Sequence, residues 1–264
     1  MKMPVSLRSL ALSLAALVSC NAALAQNEEA LANYDPNAAS PRFADGTPIL
    51  GPDADGMGYW DRGTGPMVGG ANYPAADAIP FKPWARALYD YRQATLAKDD
   101  PHVRCVPPGA ARQFAVPFGM QIVQAPHMNK IYFLSGGSTR PWREIFMNVD
   151  SHPEYLNPTY FGHSIGKWEG DTLVIDTVGF NERFWLHRDG FPHTESLHLT
   201  ERISRPRHGL LRYEITIEDP AAYTAPWSTA WEKEWTPGEE LIEYFCQDNN
   251  IDQYHMMGAD SVAQ

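Results

Sequence analysis

The chain of 264 residues carries 32 Asp and Glu against 21 Lys and Arg, a formal net charge of −11. That balance, with no basic patch along the chain, excludes a nucleic-acid partner, because phosphate binding needs clustered Lys and Arg. A hydrophobic content of 44% supplies an ordinary core, and the acidity reads as solubility.

Taken in chain order, the first feature is a targeting segment. Lys2 and Arg8 precede the apolar run from Leu10 to Val18, which is too short to span a bilayer, and Ala23-Leu24-Ala25 forms a small-x-small cleavage site before Gln26. Residues 1–25 therefore read as a signal peptide, and the mature protein is expected to be periplasmic or secreted. Leu17-Val18-Ser19-Cys20 also matches the lipoprotein pattern. Lipid at Cys20 would anchor the protein, whereas cleavage after Ala25 frees it; the free form is the favoured expectation. No later stretch is apolar enough for a transmembrane span.

Removing the signal leaves Cys105 and Cys246. In an oxidising compartment such a pair is most simply a disulfide, and two buried free thiols are the alternative. Residues 26–80 are rich in Gly, Pro, Asp and Ala and read as an extended arm across the domain. Within it, Asp53-Ala54-Asp55-Gly56 resembles the start of a calcium loop but lacks the later ligands, so turn chemistry is the better explanation. Pro83 opens a helix from Trp84 to about Lys98, with Trp84, Leu88, Tyr91 and Thr95 on one stripe and Asp99-Asp100-Pro101 as its end.

From residue 118 the pattern changes to strands, at about 118–124, 129–134, 142–148, 159–168, 171–178, 196–204, 210–218, 227–235 and 240–246. Gly, Pro, Asn and Asp punctuate nearly every gap, and Gly136-Gly137 reads as a hairpin turn. The expected fold is all-β with one N-terminal helix, an antiparallel barrel of eight or nine strands, lipocalin-like in shape, with a sandwich as the alternative. The barrel domain would cover residues 81–250 and leave a tail at 251–264.

The segment from Phe161 to Phe180, FGHSIGKWEGDTLVIDTVGF, resembles the signature of a family of exported bacterial proteins without an assigned activity, as do Pro192 to Arg202 and Glu243-Tyr244-Phe245-Cys246. The similarity runs from about residue 84 to 252. The resemblance implies export and a β-rich fold, and it transfers no reaction.

Gly162-His163-Ser164-Ile165-Gly166 is a literal G-x-S-x-G, yet a nucleophile elbow needs a helix after it, and here a turn and a second strand follow. Serine-hydrolase chemistry is therefore disfavoured. If Glu169-Gly170 forms a two-residue hairpin loop, His163 sits across from Asp176, with β-carbons about 5 Å apart, on a face shared with Phe161 and Ile165 that points inward. A carboxylate beside an imidazole orients a general base; a satisfied structural pair is the competing explanation. Glu201 shares a face with Leu197, Leu199 and Ile203, so it is either a desolvated acid or one half of an internal ion pair with Arg143 or Lys233. A loop of Arg207-His208-Gly209, with a left-handed glycine, would pair Arg202 with Glu214 and His198 with Glu218.

Trp227, Trp231 and Trp235 fall at even spacing with Thr229 and Lys233, and Tyr213 on the preceding strand joins them. This face is either core filling or a wall for an apolar, aromatic ligand with Lys233 as anchor. His152, His163 and His187 lie on separate segments, and His193 and His198 take opposite faces of a strand. No metal site is expected, and no glycine loop suggests a cofactor. The sequence thus points to metal-free proton transfer, of lyase or isomerase type, on an aromatic small molecule. His163 is the base, Asp176 its orienting partner, Glu201 the acid and His193 a rim residue, with Arg143 and Phe161 on the ligand wall. A non-catalytic carrier is the alternative.

Overall fold

The structure is a computed structural model that describes residues 34–52, 57–61, 73–115, 118–137, 141–248 and 250–251. The segment 1–25 read as a signal peptide, Cys20, the turn expected at 53–56 and nearly all of the 251–264 tail lie outside the described residues.

Nine strands close into one barrel in sequence order. They are β1 (Gly58–Asp61), β2 (Met120–Ala125), β3 (Lys130–Ser135), β4 (Trp142–Met147), β5 (His163–Glu169), β6 (Thr172–Val178), β7 (His198–Arg207), β8 (Leu210–Glu218) and β9 (Trp227–Pro237). Apolar alternation drives this closure. On β8 and β9 the buried positions alternate with exposed ones, placing Leu211, Tyr213, Ile215 and Ile217 inside beside Trp227 and Trp235.

One pair departs from the antiparallel expectation: β4 and β5 run parallel. A closed ring with an odd number of strands cannot alternate direction all the way round, so one neighbouring pair has to point the same way. Parallel neighbours cannot share a hairpin; the chain must return outside the sheet over a dozen or more residues. Residues 148–162 make that return along the outer wall, where His152 meets His163 and Asp176.

The 26–80 segment is more than an arm. Its β1 closes the ring between β2 and β9, and Trp60 is fully buried, edge-on to Trp235 at 4.9 Å, with its indole N–H donating to Leu50 O at 2.6 Å. Four residues flanked by glycine-rich sequence give too little periodicity to announce a strand.

The helix α1 (Pro83–Ala94) stops short of Lys98, because Leu96 and Ala97 turn into the left-handed region at φ 55°. Its buried face also differs from the expected stripe. Ala85 is buried, and Tyr89 stacks on Phe81 and Phe191 at 5.3 Å each, while Trp84 and Tyr91 are 44% and 57% exposed. A second helix, α2 (Gly109–Gln113), is short and wholly buried. It delivers Phe114 into the barrel, stacked on Tyr213 at 4.0 Å and edge-on to Phe133 at 5.3 Å. Gly109 opens this helix with φ 77°, and a β-carbon there would lie 2.2 Å from the Phe184 ring, so only glycine fits.

Residues 240–246 form no strand. They run as a strap beyond β9, with Leu241 packed at Gly119 and Gly136, Tyr244 stacked on Phe118 at 5.0 Å, and Cys246 bonded to Cys105 with a Cα–Cα distance of 5.6 Å. The disulfide matches the expected pairing. No helix among the described residues is long and apolar enough to cross a membrane.

The disulfide joins positions 141 residues apart. In the chain-entropy treatment such a cross-link stabilises by about 4–5 kcal/mol. Replacing both cysteines by alanine is expected to lower the urea midpoint accordingly while leaving the barrel's far-UV spectrum intact. An unchanged midpoint would show that the strap carries no such constraint.

Candidate functional site

Two polar groups stand out, one inside the barrel and one on its outer wall. The inner group draws on five consecutive strands: Arg143 from β4, Ser164 from β5, Thr177 from β6, Glu201 from β7 and Tyr213 from β8. Arg143 is its hub. Its Nε donates to Ser164 Oγ at 3.0 Å, Nη1 to Glu201 Oε1 at 2.9 Å, and Nη2 to Glu201 Oε2 and to Thr177 Oγ1, the latter at 2.7 Å. Tyr213 adds a bond to Glu201 Oε1 at 2.7 Å. Burial, reinforced by the Glu201 charge, pushes the Tyr213 phenol up, which keeps it protonated as a donor.

Glu201 therefore points inward as expected, but it is one half of a bidentate ion pair rather than a solitary proton donor. Arg143 serves the same pair and not a ligand wall. Ser164 lies at the start of β5, with strand and not helix following it and its hydroxyl taken up by Arg143 and Thr177, which agrees with the argument against a nucleophile elbow. Trp227, Trp231 and Trp235 share the inner face with Lys233, and Trp231 lies 4.7 Å from the Tyr213 ring. The Trp231 indole donates to Phe114 O at 3.2 Å, so α2 is pinned against this wall.

The outer group corrects the expected position of His163. The β5–β6 loop is Gly170-Asp171, with Gly170 left-handed at φ 60°, so His163 pairs with Val178 and it is Ile165 that faces Asp176. Ser164 and Gly166 point inward, and His163 and Ile165 point out. Gly166 shows why the faces fall this way. A β-carbon there would lie 2.7 Å from both Ile145 and Met147, so the close-packed inner position needs glycine. His163 and Glu201 consequently lie on opposite sides of the wall and do not form one site.

His163 nevertheless reaches Asp176 through His152 on the crossover. The Nδ1 atoms of His152 and His163 are 2.8 Å apart, and His152 Nε2 lies 2.7 Å from Asp176 Oδ1. His198 Nε2 meets Asp176 Oδ2 at 2.5 Å, and its Nδ1 lies 3.8 Å from Glu218. Burial pushes the Asp176 carboxyl up, but the hydrogen bonds from His198 and His152 outweigh it and hold the group below its ordinary value. Burial and the neighbouring His152 push His163 down, so it stays neutral near neutral pH. Phe146 covers one face of the His163 ring, nearly parallel at 4.9 Å.

No protein-family model, curated protein or solved structure matches the chain.

The remaining residues singled out from sequence fall elsewhere. His193 is buried against Phe184 at 4.1 Å, with its ring nitrogens at the carbonyls of Phe184 and Thr194, and burial pushes its pKa down. It holds a loop together and is not a rim residue. Phe161 lies half-buried in the crossover, before β5 begins, and packs on the core. The expected His198–Glu218 and Arg202–Glu214 pairings are present, although a bulge between Ser204 and Arg207 sets that register and Gly209 is not left-handed. His152 was visible in sequence only as a histidine on a separate segment and Phe114 not at all, because a crossover and a five-residue helix carry almost no periodic signal; the fold brings His152 to His163. Among the described residues, no three His, Cys, Asp or Glu side chains converge to hold a metal ion.

The inner ion pair is almost wholly shielded from water. Removing one partner of such a pair costs about 3–5 kcal/mol, because the other charge is left uncompensated. Arg143→Met is expected to lose that much in urea unfolding, and the Arg143→Met/Glu201→Gln double variant to lose less than the two single losses combined. Additive losses would show that the two groups are not coupled.

Proposed function

We propose that the protein is an enzyme of the cell envelope or exterior that moves protons on a small organic molecule, in lyase or isomerase chemistry, with His163 as general base. The observation that carries this reading is the unbroken chain His163–His152–Asp176–His198 on the outer wall. With Asp176 accepting from His152 Nε2, the His152 Nδ1 is the acceptor that faces His163. His163 then donates from its own Nδ1, and its Nε2 keeps a bare lone pair. When Nε2 takes a proton from a substrate, the Nδ1 proton can pass to His152, bringing the new positive charge beside Asp176. The lone pair is thereby both oriented and backed by a carboxylate. Phe146 beside His163 offers an apolar contact, which favours an apolar or aromatic substrate. The disulfide supports an oxidising compartment. The two segments that resemble the exported family supply His163, Asp176 and His198, and we extend the family assignment as part of the proposal.

A second reading, a carrier that holds a small molecule within the barrel, is favoured by a different observation. Gln113 on α2 is buried with both amide atoms unpartnered, and so is the Trp227 indole N–H. Buried polar atoms of this kind call for a partner.

Native mass spectrometry identifies a retained molecule, and NMR in deuterated water then follows exchange at its acidic C–H. General-base loss costs about 10²–10⁴-fold. His163→Ala and Asp176→Asn are expected to lose at least the lower figure, and Arg202→Ala to leave exchange unchanged. The rate should fall on acidification, because the base must be neutral, with a midpoint below the ordinary imidazole value. Exchange that survives His163→Ala rejects the enzyme reading. Tight binding without exchange, lost in Gln113→Leu, selects the carrier.

A further inference from the structure

The crossover from β4 to β5, residues 148–162, passes over the outer wall with few ties. At its start the Asn148 side chain donates to Asn129 Oδ1 at 2.9 Å. Near its end Thr159 N donates to Gly179 O at 3.0 Å and Asn181 N to Thr159 O at 2.9 Å, with Leu156 packed at Gly179. Between these anchors Val149, Asp150, Ser151, Pro153, Glu154 and Tyr155 are exposed, Tyr155 to 86%. Within that stretch only His152 turns its side chain into the wall, where it is 16% exposed. One ring therefore holds the middle of the crossover to the barrel.

That hold depends on protons. The Nδ1 atoms of His152 and His163 are 2.8 Å apart, and His152 Nε2 lies 2.7 Å from Asp176 Oδ1. Two imidazole nitrogens at such a distance form a hydrogen bond only when one carries a proton and the other a lone pair. A neutral pair meets this condition. So does a pair with a single positive charge, which can sit on His152 beside Asp176. A doubly charged pair cannot, because N–H then meets N–H and two like charges stand in contact. The surrounding charges are already engaged. Asp176 on β6 is shared with His198 on β7, whose second nitrogen lies 3.8 Å from Glu218 on β8. Glu144 on β4 is bonded to Lys130 on β3, and Asp150 and Glu154 on the crossover itself are exposed. Burial and the neighbouring His152 push His163 down, and Asp176 is held below its ordinary value, so the carboxylate stays charged while the second proton enters.

We propose that residues 149–155 are a proton-operated latch on the outer wall. It is closed while the two histidines share at most one positive charge, and it opens when both are protonated. Acidification frees the stretch from the barrel, and His152 leaves His163 and Asp176 with it. The latch is a property of the pair alone. Its use as a switch for turnover rests on the proton-transfer reading, since release removes the partner that orients His163 and leaves the base charged.

Backbone amide relaxation by NMR on the intact, disulfide-bonded protein tests the latch without any substrate. Order parameters of the non-proline amides at 149–155 are followed from about pH 8 to about pH 4, on either side of the ordinary imidazole value of about 6.5. They are expected to fall from a rigid value of about 0.85 to below about 0.6, while those of β8 stay rigid. The midpoint should lie below the ordinary imidazole value. His152→Ala should leave the stretch loose at every pH. His163→Asn sets an amide oxygen where Nδ1 stood, which accepts from a protonated His152 and never charges, so its stretch should stay ordered in acid. Order retained at acid pH in the unsubstituted protein, loss of order in β8 at the same midpoint, or an unshifted transition in His163→Asn would overturn the proposal. Should His163→Asn fail to fold, a rigid stretch in His152→Ala overturns it instead. A latch that opens in a protein without substrate proton exchange rejects the proton-transfer reading alone, and a latch that fails leaves that reading standing.

Discussion

Direction cannot alternate all the way round a closed ring of nine strands, and most of what is distinctive here follows from that. Somewhere two neighbours must run parallel, and in this barrel they are β4 and β5. The chain between them has to return outside the sheet, and the return lays His152 over the outward side chains of β5 and β6. A barrel of eight strands with hairpins throughout would have no such segment and no bridge from His163 to Asp176. The imidazole chain is therefore a consequence of strand number as much as of residue type.

The barrel interior is settled by a different balance. Burying a guanidinium and a carboxylate is costly, and geometry alone compensates for it. Five strands contribute to that geometry, so every donor of Arg143 that reaches the group finds an oxygen, and Glu201 receives a third bond from Tyr213. Phe114 then covers Tyr213 from the barrel axis, keeping water from the pair. This network also ties strands whose register would otherwise rest on aliphatic packing alone. It explains why polar Ser164 and Thr177 occupy inward positions while Ile165 faces out.

Charge on the surface is distributed with the same economy. Asp176 serves two imidazoles, Asp171 pairs with Arg42 and Glu169 with Arg202. Exposed pairs of this sort contribute little stability. Their effect is to hold the loops that carry them, and near His163 that effect is orientation. Glu239 and Glu240 belong to a part of the surface that is anchored covalently instead, through the strap and its disulfide.

Much of this was legible in the residues. Alternating apolar positions in β7, β8 and β9 announced strands, inward Trp227, Trp231 and Trp235, an inward Glu201, and the outer pairs Arg202–Glu214 and His198–Glu218. Cys105 and Cys246, the two cysteines beyond the segment read as a leader, announced the disulfide. These features are local or follow from a period of two, so pattern alone carries them. Other features depend on contacts between distant segments and had no local signature. Four residues in the glycine-rich arm close the ring, five residues at Gly109–Gln113 plug it, and the strap at 240–246 is held by side-chain packing and the disulfide without joining the sheet. The partner of His163 turned on the loop being Gly170-Asp171 and not Glu169-Gly170, a shift of two residues along β6 that leaves the face of His163 unchanged, and alternation alone could not say which face of β5 lay inside. Only packing decided it, because the crowded inner position beside Ile145 and Met147 accepts Gly166 and no side chain.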